Sequence, residues 1–132
     1  MNVGIIGFGG WGSIHAQALS NLSNHTLRAI ACRTEETAGR ARNQYPAARV
    51  LTDYRDILAD PEIQAVHVVV PSYLHVPIAL AALEAGKHVI LEKPMAVTLE
   101  EADRLVLAAS RSDKTITVVH ELRVSEQWSA VR

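Results

Sequence analysis

Several things are scarce in this 132-residue sequence, and each scarcity narrows the options. There is one cysteine, Cys32, so neither an intrachain disulfide nor a zinc cluster of thiolates can form. There is no excess of either charge: the formal net charge is -1, and no basic block or stripe interrupts it. Nucleic acid is therefore not an expected partner. No apolar run is long enough to cross a bilayer, so no membrane association is expected. The opening "MNVGIIGFG" lacks the charged segment, long apolar stretch and small-residue cleavage site of a secretory signal. The expectation is a soluble cytoplasmic protein. Repeats, low-complexity tracts and linkers are also missing.

What is present is apolar and orderly. Hydrophobic residues make up 48% of the chain, enough for one domain with a sizeable core. Short β-branched runs alternate with longer segments rich in alanine and leucine. The runs are "VGII" (3–6), "LRAIAC" (27–32), "AVHVVV" (65–70), "HVILE" (88–92) and "ITVVH" (116–120), with a weaker one at "ARVL". They are continuously apolar rather than alternating, which predicts strands covered on both faces. The segments "WGSIHAQALSNL", "EETAGRARNQY", "YLHVPIALAALEAG" and "LEEADRLVLAASR" read as helices, with a short one at "YRDILA".

Punctuation agrees. Thr98 followed by Glu101 predicts a capping box, Asp53 is placed to cap the short helix, and Gly86 can end the helix before it in a left-handed conformation. Pro46, Pro61, Pro71 and Pro94 fall at predicted junctions. Strand–helix alternation implies parallel strands joined by right-handed crossovers. The predicted fold is α/β, a doubly wound six-stranded parallel sheet in the order 3-2-1-4-5-6, the Rossmann fold. It fills residues 1–120 as a dinucleotide-binding domain. The remaining "ELRVSEQWSAVR" (121–132) reads as the start of a connection to a second domain.

The first predicted strand runs into Gly7-x-Gly9-x-x-Gly12, which opens the first helix. Alone the pattern is weak; between a strand and a helix each glycine has a reason. Gly7 permits the tight turn, Gly9 lets a pyrophosphate approach the backbone, and Gly12 lets the helix pack close. The N–H groups near Gly10 and Trp11 can receive phosphate oxygens with help from the helix dipole. The alternative is a glycine turn without a ligand. About twenty residues on, where an NAD domain places a carboxylate on the ribose, the chain reads Cys32-Arg33-Thr34. Losing the carboxylate removes repulsion toward a 2′-phosphate, and a guanidinium can pair with it. The reading favours NADP, with NAD possible. In the alternative, Arg33 is a solvated residue and Glu35 or Glu36 serves the ribose. Cys32 itself reads most simply as a small buried residue.

The second half carries a resemblance. "AVHVVVPSYLHVPIALAALEAGKHVILEKPMAVTLEEADRLVLAA", together with "GIIGFGGWGSIHAQAL", resembles the glucose–fructose oxidoreductase, inositol dehydrogenase and rhizopine-catabolism (Gfo/Idh/MocA) family. The family consists of NAD(P)-dependent oxidoreductases acting mostly on sugars, cyclitols and related polyols. Its members carry a second α/β domain. By that resemblance Lys93 is the catalytic lysine, with Glu92 and Pro94 in the same motif.

Independently of the resemblance, Pro71, Ser72, Leu74 and His75 follow strand four, while Glu92, Lys93 and Pro94 end strand five. Ligands of open parallel sheets lie at such strand ends, and an ammonium there can stabilise charge developing on a substrate oxygen or join a proton relay. The bland reading of Lys93 is a solvated lysine beside a turn. His75 either faces the crevice or packs at a helix start. His15 reads as a structural hydrogen-bonding residue, and His67 as a satisfied core histidine. The Lys93–Pro94 bond is a candidate for the cis isomer.

Two departures from the family stand out: Val70 replaces a hydroxyl residue common before the proline, and Glu126 replaces a proline three residues after Arg123. Without the family's second domain to cover them, apolar positions near Val118, Leu122, Val124 and Trp128 are expected to be exposed or disordered, giving either self-association as a homo-oligomer or a mobile C-terminal end. The leading functional reading is the cofactor half of a polyol oxidoreductase, inactive by itself. The alternatives are a stand-alone dinucleotide sensor and an enzyme of another class, such as a methyltransferase.

Overall fold

The computed structural model describes residues 1–121. Six strands form one sheet: β1 (Asn2–Ile6), β2 (Thr26–Ala31), β3 (Arg49–Leu51), β4 (Ala65–Val68), β5 (His88–Leu91) and β6 (Ile116–Val118). Their order is β3-β2-β1-β4-β5-β6, every pairing is parallel, and the predicted topology is the one observed. The connecting helices are α1 (Gly10–Ser20), α2 (Glu35–Gln44), α3 (Arg55–Ala59), α4 (His75–Glu84) and α5 (Leu99–Arg111). A short 3₁₀ turn, Ser72–Leu74, precedes α4.

Alternation along the strands divides the core into two layers. Val3, Ile5 and Ile30 project to one face and pack with Phe8, Ala16, Leu19, Cys32, Ala38 and Ala41, closed by α1 and α2. Ile6, Ala29, Ala31, Val66 and Val68 project to the other, against residues of α3, α4 and α5 such as Ile57, Ala79, Ala82 and Leu105. A strand buried on both faces has no solvent-facing position to fill with a polar residue, hence the uninterrupted apolar runs.

The caps follow the sequence with two adjustments. Thr98 Oγ1 accepts from the Glu101 amide at 3.2 Å, but the Glu101 carboxylate accepts from Val97, one residue earlier than a capping box requires. Asp53 Oδ1 accepts from the Arg55 amide at 2.9 Å, although Tyr54 occupies the cap position itself. Gly86 takes φ 73°, as expected of a left-handed helix end. On the edge opposite the glycine turn, the buried Lys87 donates to the carbonyls of Asp60 and Ile63 at 2.6 and 2.7 Å and so closes the loop between α3 and β4.

Candidate functional site

The carboxyl ends of β1, β4 and β5 converge on one depression of about 490 Å³, lined by Gly9, Gly10, Trp11, Gly12, Val69, Val70, Pro71, Glu92, Lys93 and Pro94. The central strand β1 supplies the glycine turn, and its sheet neighbour β4, followed by β5, supplies the other two loops.

The turn is made by what glycine lacks. Gly7 sits at φ 99°, and a Cβ there would fall 2.1 Å from the Val69 carbonyl oxygen. At Gly12 a Cβ would meet the Gly7 carbonyl oxygen at the same 2.1 Å. These two positions therefore bring α1 hard against the strand end. Gly9 and Gly10 face open space among the described residues, with nothing within 4 Å of where a Cβ would stand. Gly9 caps α1 without any side chain, and the first intrahelical bond runs from the Ser13 amide to Gly9 at 3.0 Å. The amides of Gly10, Trp11 and Gly12 thus have no partner inside the helix, and no acidic residue occupies its first turn. A row of free N–H groups at the positive end of a helix, beside a cradle a Cβ would fill, fits a pyrophosphate.

At the end of β2, Cys32 is buried and Arg33 and Thr34 are exposed. Burial pushes the Cys32 thiol up from its ordinary value, in keeping with a small buried residue at a strand end. Thr34 caps α2 by accepting from the Thr37 amide at 3.3 Å. Glu35, one candidate for the ribose, is instead paired with Arg42 on the exposed side of α2. Arg33, directly after Cys32, carries the exposed charge at the end of β2.

Lys93 is half exposed, with its Nζ 3.3 Å from Glu121 Oε1 and 5.6 Å from the centre of the Trp11 ring. The Lys93–Pro94 bond is cis. Glu92 is buried with both oxygens engaged: Oε1 accepts from His15 Nε2 at 2.9 Å and Oε2 from the Lys93 amide at 3.1 Å. His15 in turn meets His67, Nδ1 to Nδ1, at 3.0 Å. Burial, reinforced by the neighbouring His15 and His25, pushes His67 down to about 4.

The structure brings Gly9, Gly10, Trp11, Gly12, Pro71, Glu92, Lys93 and Pro94 to one crevice. It does not bring His75 there. His75 is only 1% exposed and lies beneath the floor, its Nδ1 2.7 Å from the Pro94 carbonyl and its Nε2 2.9 Å from the Val70 carbonyl. Of its two readings, packing at a helix start is the one observed, and it ties the two loops together. Ser72 and Leu74 lie in the 3₁₀ turn behind Pro71, with Leu74 against the core. Leu122, Arg123, Val124, Glu126 and Trp128 lie outside the described residues.

Three features were not read from the sequence: the indole of Trp11 over Lys93, the partner Glu121, and the Glu92–His15–His67 chain. The last had a signal. Gly12 faces the sheet, and a residue three positions further along a helix shares that face.

A doubly wound sheet with a glycine turn and a lysine loop on one edge defines a dinucleotide-binding oxidoreductase domain. The chain belongs to the Gfo/Idh/MocA family: residues 1–120 match the oxidoreductase family with an NAD-binding Rossmann fold. It is 35% identical to the scyllo-inositol 2-dehydrogenase (NADP(+)) of Bacillus subtilis (strain 168), across 100% of this chain and 36% of that protein. It is 36% identical to the levoglucosan dehydrogenase of Pseudarthrobacter phenanthrenivorans (strain DSM 18606 / JCM 16027 / LMG 23796 / Sphe3), across 88% of this chain and 31% of the other. Among solved structures, the apo scyllo-inositol dehydrogenase of Lactobacillus casei superposes with a TM-score of 0.93 at 25% identity, covering 99% of this chain and 40% of that one. A 3-ketoreductase of Actinomadura kijaniata, in complex with NADP and TDP-benzene, gives 0.91 at 27% identity, covering 99% and 40%. The chain spans about a third of the length of the curated relatives it matches.

Proposed function

We propose that this chain is the cofactor-binding part of an NADP-preferring oxidoreductase that moves a hydride between the nicotinamide and a sugar, cyclitol or related polyol. The observation that carries the proposal is the placement of Lys93 on the same crevice as the free amides of Gly10, Trp11 and Gly12. When bound, the nicotinamide would supply the hydride acceptor or donor. The residues do the rest. The amides at the start of α1 hold the pyrophosphate. Arg33 pairs with the 2′-phosphate, in the absence of a carboxylate at position 32. Lys93 holds the substrate hydroxyl and stabilises the charge on its oxygen as hydride leaves the carbon. The names of the two dehydrogenases above support the polyol class. Residues 121–132 are proposed to lead into a substrate domain, and the whole protein to work in the cytoplasm as a homo-oligomer.

Titrating the purified chain with NADP⁺, NAD⁺ and adenosylmethionine tests this. NADP⁺ binding tightest and adenosylmethionine not binding is the expected result. Preference for adenosylmethionine would overturn the enzyme class. Preference for NAD⁺ would overturn the role of Arg33 and leave the class standing.

A further inference from the structure

The crevice floor holds a side-chain chain that the hydride-transfer reading does not use. His15 comes from α1, one turn in from the glycine turn; His67 comes from β4; Glu92 follows β5 directly. The Glu92 amide extends the β4–β5 ladder by donating to the Val68 carbonyl at 3.0 Å, and its side chain reaches His15 on α1. Glu92 and His67 are 6% and 8% exposed. A carboxylate removed from water needs donors. Here the donors are one ring N–H and one backbone N–H, with no lysine or arginine in ion-pair contact among the described residues.

The proton arrangement follows from the partners. Glu92 Oε1 accepts, so His15 carries its hydrogen on Nε2. Where His15 is neutral its Nδ1 accepts from the Nδ1–H of His67; where His15 is protonated its Nδ1–H donates to His67 instead. The two rings stand at 88° with centres 5.3 Å apart, edge to face, so each limits the rotation of the other.

We propose that His15 is a positioning residue for the lysine loop: it holds Glu92, and through it the Lys93 backbone, against the helix that carries the glycine turn, with His67 fixing the orientation of the His15 ring. The chain links the place where phosphates would sit to the place where the substrate oxygen would sit. Without it, Glu92 would keep only the adjacent Lys93 amide, a local contact that does not fix the loop to α1. The consequence for catalysis rests on the reading of Lys93 given above; the positioning itself does not.

The test therefore starts from the ligand-free 132-residue chain. Backbone amide exchange at Lys93 is measured by NMR in wild type, His15→Leu and His15→Gln, with Ile5 and Ile30 as reference amides in the central strands. Leucine removes the donor. Glutamine offers a donor and an acceptor about as far apart as the two ring nitrogens. In His15→Leu the Lys93 amide should exchange roughly tenfold faster or more, the size expected for losing a hydrogen bond to a charged acceptor. Ile5 and Ile30 should be unchanged, and His15→Gln should recover most of the protection. A Lys93 amide unchanged in His15→Leu would overturn the proposal, as would acceleration shared equally by Ile5 and Ile30. Ring ¹⁵N spectra of the wild type give a second test that needs no variant. His15 bearing its hydrogen on Nε2 and, where His15 is neutral, His67 on Nδ1 is expected; His15 with a bare Nε2 cannot hold Glu92 and overturns the assignment. Titration of the same samples with NADP⁺ keeps the readings apart, because failure of the wild type to bind would count against the proposed function and leave the Lys93 result standing.

Discussion

Arg33 is exposed beside Cys32, which stands where the fold ordinarily places a carboxylate, and Glu35, one acidic substitute, is paired with Arg42. Arg33→Ala should weaken NADP⁺ by about tenfold and leave NAD⁺ nearly unchanged. A charge-assisted hydrogen bond contributes about 1.5–3 kcal/mol, and screening at an exposed rim favours the lower end. Calorimetric titrations at one salt concentration read the difference; equal losses for both cofactors would reduce the arginine to a stacking role. His67 governs a pH effect. Its folded value of about 4 lies below the ordinary 6.5. Between the two the unfolded chain binds the extra proton, so stability falls as pH drops through 6.5 toward 4. From pH 7 to pH 5 the loss is about 2 kcal/mol. His67→Leu should flatten that part of the profile in thermal melts at the two pH values, and an unchanged slope would count against it. The sequence marked His67 as a core histidine because an apolar run surrounds it. It could not show the partner, since His15 lies 52 positions away and meets it only after β1 and β4 pair.

At the scale of elements the sequence was most informative, because burial on both faces forces continuous apolar strands and the crossovers leave little freedom of order. It was less exact where a strand stops. "AVHVVV" predicted a strand to 70, but β4 ends at Val68 and the next two residues turn to line the crevice, with the Val69 carbonyl backing onto Gly7. Ligand sites end strands early in this way, and hydrophobicity does not record it. His75 shows the same limit, since one spacing fits either a ligand-facing or a buried ring. Two element-level effects can be measured. Thr98→Ala removes the cap of α5 and should cost about 1 kcal/mol, a fall of about 4 °C in Tm for a domain of this size. Lys87→Met keeps the stem but leaves the carbonyls of Asp60 and Ile63 without their donor. The expected cost is about 2–3 kcal/mol in urea unfolding, and a loss under 0.5 kcal/mol would mean that water replaces the ammonium.

At the scale of the whole molecule, the two faces of the sheet are covered by helices, and the proposed chemistry lies at one edge. In the proposed reading, the crevice at that edge holds a phosphate cradle and a lysine for the substrate, with Arg33 after β2 for the adenosine end. Binding a dinucleotide needs only these. Hydride transfer needs more: the substrate carbon must be held in near-attack geometry, and positioning accounts for a large part of such a barrier. Lys93 Nζ lies against the Trp11 ring and Glu121, which in the proposed reading would form one wall of a substrate site. The relatives that share this stretch are about three times as long. The 132-residue chain should therefore bind without turning over. At a hundred times Kd, NADP⁺ should stabilise the fold by about 2.7 kcal/mol, raising Tm by about 10 °C. In the same buffer, inositols, sugars and sugar alcohols added at millimolar concentration should give no steady growth of absorbance from reduced cofactor. Stabilisation together with silence supports a binding half whose chemistry lies in joining it to a substrate domain. Steady reduction by this chain alone would show that the edge of the sheet is already a complete active site, and the division of labour proposed for the protein would fall.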